Sequence, residues 1–192
     1  GLNYNFSTVG YARTETRYGR GGSGYSSFEF SKYNNDEPHK GGNVDRDEIF
    51  ARISYFLERV IPVAEEYKVQ MACHLPDPPA EVLRGEERWN YPVFEGLKRF
   101  SELVDSPCHG FNFCCGVASE GLQRPGEELP EIVEYFSSRG KIFNVHFRNI
   151  KGGLLEFVEV FPDEGDVDML RALRTYKEVG YEYMIMPDHA PK

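Results

Sequence analysis

Leu129 to Arg148 reads LPEIVEYFSSRGKIFNVHFR. Leu129 to Arg139 has the pattern of a helix, and Gly140 is its expected C-terminal stop. Lys141 to Arg148 then reads as a strand. Strand side chains alternate faces, so Phe143, Val145 and Phe147 share one face, suited to packing against helices. Asn144, His146 and Arg148 share the other.

The same alternation extends in both directions. Upstream, Asp45 to Tyr67 has Ile49, Ile53, Phe56, Leu57, Val60, Ile61 and Ala64 at helical spacing. Asp45 or Asn43 is placed to cap it. Pro62 is expected to kink this helix or end its regular hydrogen bonding. Val69 to His74 (VQMACH) is a short strand, Val93 to Val104 a helix, and Gly110 to Cys115 (GFNFCC) a strand. Downstream, Leu154 to Phe161 reads as a hairpin arm or an extra strand, Asp168 to Val179 as a helix ended by Gly180, and Tyr183 to Met186 as the start of a last strand. Near the N-terminus, Tyr4 to Val9 is a strand. Arg13 to Asn43 is a long polar stretch in which RYGRGGSGYSS looks flexible, either a lid over a site or a floppy insertion. Strands alternating with amphipathic helices predict an α/β protein with a parallel sheet.

The 192 residues are 40% apolar and include 14 Phe, 12 Tyr and one Trp, enough for a core in one domain. Lys and Arg total 22 against 31 acids, a net charge of −9, which argues against binding a nucleic-acid backbone. A small anionic substrate remains compatible, because a local metal or arginine can reverse the field. No apolar run has membrane-spanning length, and no secretory leader pattern opens the chain. The first residue is Gly1 rather than Met, so residues are expected to precede it. Four cysteines in a chain with this much core suggest a reducing, cytoplasmic setting. G-x-G-x-x-G, P-loop and G-x-S-x-G motifs are absent.

Residues with catalytic potential recur at the strand ends. They are His74, Cys114, His146 and the Asp188–His189 pair. In a βα barrel those ends surround one mouth. Parity puts Gln70, Ala72 and His74 of the first strand on the interior face, together with Asn112 and Cys114 of the second. Imidazole, thiolate and carboxylate converging there form a ligand set for Zn, Fe or Mn. Cys73 and Cys115 are assigned to packing. Cys108, His39 and His109 are assigned to loops. Arg148 is either a clamp for a substrate carboxylate or the partner of an acid. Asp77 either orients a ligand or shapes a turn. Asp166 and Asp168 are read as helix caps.

The segments CHLPDPP, FNFCCG, VHFRN, GDVDM, MPDHAP and NYNFSTVGYART resemble, in order and context, the mannonate dehydratases. The resemblance implies a TIM (β/α)8 barrel. It also implies Mn or Fe(II) as cofactor and dehydration of D-mannonate to 2-keto-3-deoxy-D-gluconate. It maps the metal ligands onto His74, Cys114, His146, Asp188 and His189, and makes Asp188, His189 and Arg148 the catalytic candidates. The implied partner is a small sugar acid, with no nucleic acid or membrane, and a homo-oligomer of the intact protein is left open. A metal-dependent sugar isomerase or epimerase on a similar barrel is the runner-up. An inactive barrel fragment is the third reading. The chain departs from the family at Leu75–Pro76, at Cys115 and Val117, at Gly10–Tyr11 and at Ala190. These changes bear on the substrate more than on the metal. Five strands do not close an eight-stranded barrel, which typically needs about 250 residues. Residues 1–192 are therefore expected to be a partial barrel of about five βα units, cut at both ends.

Overall fold

A computed structural model describes residues 1–7 and 9–192; Thr8, inside the expected Tyr4–Val9 strand, lies outside the described residues. In chain order the elements are β1 (Leu2–Asn5), β2 (Glu15–Tyr18), β3 (Gly24–Glu29), α1 (Arg46–Glu66), β4 (Met71–His74), α2 (Val93–Ser101), β5 (His109–Cys114), α3 (Cys115–Glu120), α4 (Pro125–Ser137), β6 (Ile142–His146), β7 (Asn149–Gly153), β8 (Glu156–Val160), α5 (Met169–Glu178) and β9 (Met184–Met186).

Five strands form a parallel sheet in the order β1-β4-β5-β6-β9. The α/β alternation read from the sequence is therefore present. Its helices bury most of the apolar positions that periodicity marked: on α1, Ile49, Ile53, Leu57, Ile61 and Ala64 are buried and Phe56 and Val60 partly so, with the unmarked Phe50 buried beside them. The Asp45 side chain caps α1 by accepting from Glu48 N, and the helix runs through Pro62 to Glu66. The exposed proline costs one hydrogen bond without ending the element. Asp168 caps α5 by accepting from Arg171 N. Asp166 instead accepts from Gly152 N.

Three expectations are corrected. The first strand is Leu2–Asn5 rather than Tyr4–Val9. The polar stretch from Arg13 holds the β2–β3 hairpin, whose strands join β8 and β7 in an antiparallel sheet of order β2-β3-β8-β7. The glycines that looked flexible make its turn, with Gly21 and Gly22 at φ +67° and +81°, a left-handed conformation that glycine adopts at little cost. Tyr25, Ser27 and Phe28 of β3 are buried, so this segment is neither a loose lid nor a floppy insertion. Finally, His109 is not a loop residue. It opens β5, is fully buried, and its Nε2 lies 2.8 Å from the Phe100 carbonyl oxygen.

Register aligns the functional rows. Asn5, His74, Asn112 and Asn144 are successive partners across β1, β4, β5 and β6, and Cys114 pairs with His146. Partners on neighbouring strands project to the same face. The strand ends therefore deliver a polar row followed by a thiol–imidazole row.

Candidate metal centre

His74 ends β4, Cys114 ends β5 and His146 ends β6. One donor atom from each lies within 4.8 Å of the other two. The two imidazole rings are 5.1 Å apart at their centroids. Asp188, just past β9, places Oδ1 3.3 Å from His146 Nδ1. Asp188 holds φ +64°, an uncommon conformation in which Asp is enriched. His189 follows, with Nε2 3.5 Å from Asp188 Oδ2 and Nδ1 3.4 Å from Glu159 Oε2. It is 47% exposed, the most open side chain of this group. His146 Nδ1 is buried without a hydrogen-bond partner. That orphaned nitrogen, the thiol, the second imidazole and the carboxylate make a donor set that fits a divalent transition metal.

The electrostatics prepare the sulfur. Burial alone would push the Cys114 thiol up, but the Arg148 guanidinium and hydrogen bonds with His146 and His74 outweigh it and bring the pKa to about 5. Arg148 Nη2 lies 3.7 Å from Cys114 Sγ. His74 moves the other way: burial lowers it, but Cys114 and Asp77 more than compensate and raise it. Cys115 was expected to end a strand and instead begins α3. Its assignment to packing fits its surroundings: it is buried, 3.6 Å from the Tyr176 hydroxyl, and burial pushes its thiol up to about 12.

Behind the thiol–imidazole cluster lies a buried ion network that links the two sheets. Arg148 reaches Glu120 at 2.9 Å, Glu159 at 3.2 Å, Asp77 at 3.3 Å and Asp188 at 3.6 Å. Arg13 contacts Asp77 at 3.0 Å and Glu120 at 3.1 Å, and it also pairs with Glu159. Of the two alternatives for Arg148, pairing with acids is what the structure holds. Asp77, Glu120 and Glu159 also group closely enough to share an ion, but the two guanidiniums already occupy that role. Burial raises the Glu120 carboxyl well above its ordinary range, whereas for Asp77 burial is overcome by Arg13 and Arg148 and the carboxyl is lowered. Glu120, Glu159 and Arg13 escaped sequence reasoning. A glutamate inside the apolar run of Glu156–Val160 was the one available signal.

The mouth holds a cavity of about 220 Å³ bordered by Asn5, Tyr11, His74, Arg148, Asp188 and His189, among others. A larger concavity, about 960 Å³, lies beside the start of α4 and the β7–β8 strands. It gathers mixed charges and neither histidine nor cysteine, so the smaller cavity is the candidate site.

A protein-family model described as D-mannonate dehydratase (UxuA) matches residues 35–192. The chain is 37% identical over 154 residues to a mannonate dehydratase of Thermotoga maritima, covering 77% of this chain and 40% of that one. It is 40% identical over 149 residues to a mannonate dehydratase of Enterococcus faecalis, covering 76% and 40%. A crystal structure of mannonate dehydratase from Streptococcus suis serotype 2 superposes with a TM-score of 0.87 at 27% identity, over 99% of this chain and 57% of that one. The chain thus spans about 40% of the length of the curated relatives it matches.

Proposed function

The chain belongs to the mannonate dehydratase family, and on that premise we propose that its centre serves as a hydro-lyase, dehydrating D-mannonate to 2-keto-3-deoxy-D-gluconate. The carrying observation is the convergence of His74, Cys114 and His146 donors within 4.8 Å at three neighbouring strand ends, with Asp188 beside them. These four residues would hold Mn or Fe(II). Such an ion would polarise a substrate carboxylate and hydroxyl, acidifying the carbon-bound proton and stabilising the charge left by its removal.

In the reaction a base takes the C2 proton, the C3 hydroxyl departs as water once protonated, and the resulting enol becomes the 2-ketone. His189 is the residue assigned to move protons. Its ring is half open to the cavity and is braced by Asp188 on one nitrogen and Glu159 on the other. Arg148 keeps the Asp188 carboxylate in place from behind. The sugar acid is the proposed partner.

The parallel sheet is read here as an arc of a (β/α)8 barrel, residues 1–192 forming one catalytic unit. That reading is supported by β1 and β9 each having one parallel neighbour within the sheet. Among the described residues no helix is long and apolar enough to cross a membrane. All four cysteines are free, which fits the reducing cytoplasmic setting inferred above. The test is an assay of the open reading frame that carries this chain, loaded with Mn²⁺ and given D-mannonate. A 2-keto-3-deoxy acid is the expected product. A 2-ketose, or no product from metal-loaded and folded protein, would overturn the assignment.

A further inference from the structure

Asn112 and Asn144, beneath the thiol–imidazole cluster, have no role in the reaction outlined above. Asn112 and Asn144 are register partners on β5 and β6, 2% and 8% exposed. Burying carboxamides among apolar neighbours is costly unless they are bonded. Asn144 Nδ2 lies 2.9 Å from Asn112 Oδ1, and Asn112 Nδ2 lies 3.1 Å from His146 Nε2. Two atoms are left buried without hydrogen-bond partners: Asn144 Oδ1 at one end and His146 Nδ1 at the other. Nδ1 is the nitrogen that faces Asp188, at 3.3 Å.

We propose that Asn112, braced by Asn144, is a positioning residue that selects which nitrogen of His146 is offered to a divalent ion. By tying Nε2 it leaves Nδ1 as the ligand atom. This inference rests on reading the cluster as a metal centre. A neutral imidazole has one N–H and one lone pair, so fixing one nitrogen fixes the other. The oxygen and nitrogen ends of a carboxamide fill the same space, and the Asn144–Asn112–His146 relay therefore fits in two polarities. In the polarity that frees Nδ1, His146 Nε2–H donates to Asn112 Oδ1, and Asn112 Nδ2 donates to Asn144 Oδ1. The same atomic positions serve, and Nδ1 keeps its lone pair toward Asp188. Metal-bound histidines characteristically donate their other N–H to an oxygen, and loss of that oxygen typically weakens metal binding by about 10- to 100-fold.

The test is Mn²⁺ affinity, measured by competition with a fluorescent chelator, on the parent chain, Asn112→Leu and Asn112→Asp, with melting curves to confirm folding. Leucine keeps roughly the volume and removes the acceptor. Aspartate keeps the acceptor and removes the donor. Asn112→Leu should bind about 10- to 100-fold more weakly, and Asn112→Asp within about threefold of the parent. Nitrogen-15 spectra of the Zn²⁺-loaded parent should show His146 protonated on Nε2. Unchanged or tighter binding by Asn112→Leu, equal weakening in Asn112→Asp, or a proton on Nδ1 would each overturn the inference. A folded parent that binds neither Mn²⁺ nor Zn²⁺ overturns the metal centre itself, and this inference with it.

Discussion

Replacing Arg148 with Met should destabilise the fold by about 3–5 kcal/mol, the usual cost of stranding one side of a buried ion pair. Arg148 and Arg13 face Asp77, Glu120 and Glu159, so two guanidiniums meet three carboxyls. Within these five groups the sum is one negative charge, and the raised Glu120 carboxyl lets a proton settle there and neutralise them. Without Arg148, one guanidinium faces three acids. Protonating Glu120 then still leaves one uncompensated buried charge. Against a total stability of roughly 5–15 kcal/mol the loss is severe. Urea denaturation followed by fluorescence of Trp89, the chain's single and fully buried tryptophan, reads it directly. Adding Asp77→Asn removes one of the stranded charges, because Arg13 and Arg148 hold that carboxyl ionised, so the double variant should recover at least about 1 kcal/mol relative to additivity, within the range measured for residues in contact. An Arg148→Met protein within about 1 kcal/mol of the parent, or strictly additive single changes, would refute this account of the network.

Stability should also fall with acid through His109. Burial depresses its pKa to about 4, below the ordinary value near 6.5, so between those limits the unfolded chain binds a proton that the folded one refuses. The contribution is fully present above about pH 6.5, and on the order of 3 kcal/mol is lost as pH drops toward 4. His109→Gln, which can still donate to the Phe100 carbonyl, should lack this slope in urea titrations. A parallel slope in both proteins would rule His109 out as its source. Adjacent cysteines should behave oppositely. Cys114→Ala should abolish Mn²⁺ binding, whereas Cys115→Ala should keep it and lose about 1 kcal/mol from the missing thiol and its Tyr176 contact. Equal loss of metal affinity in two folded variants would contradict the separation of the cysteines.

Much of the centre was legible because strands impose strict alternation. In KIFNVHFR and GFNFCC, period two alone separated His146 and Cys114 from their apolar neighbours, and the fold then brought their donors together. The Asp188–His189 pair has only a short strand, Met184–Met186, before it, and its place was drawn from strand-end position and family resemblance. The hairpin at Glu15–Glu29 was misread because glycine supports both disorder and tight turns, and the choice depends on a partner strand, β8, more than 120 residues away. The ion network was invisible for a similar reason. Arg13 meets Glu159 across a separation of 146 residues, and no local pattern records which arginine meets which acid.

Cys114 and Cys115 show how little the residue type decides by itself. Both are fully buried, and burial drives both thiols upward. The backbone changes from strand to helix between them, and that single change gives the two side chains different surroundings. Cys114 stays on the interior face and accepts from Val117 N at the start of α3 at 3.4 Å, with Arg148 Nη2 at 3.7 Å and the two histidines alongside. Donors and positive charge therefore favour its thiolate, the form in which cysteine binds metals. Cys115 turns into the helical layer and meets one neutral phenol, which does not offset desolvation. The same physics extends to the antiparallel sheet. Glu159 of β8 pairs with Arg148, the cation that faces Cys114, and with His189. Loosening the sheet would therefore move both the charge that holds the thiolate and the ring proposed to carry the proton.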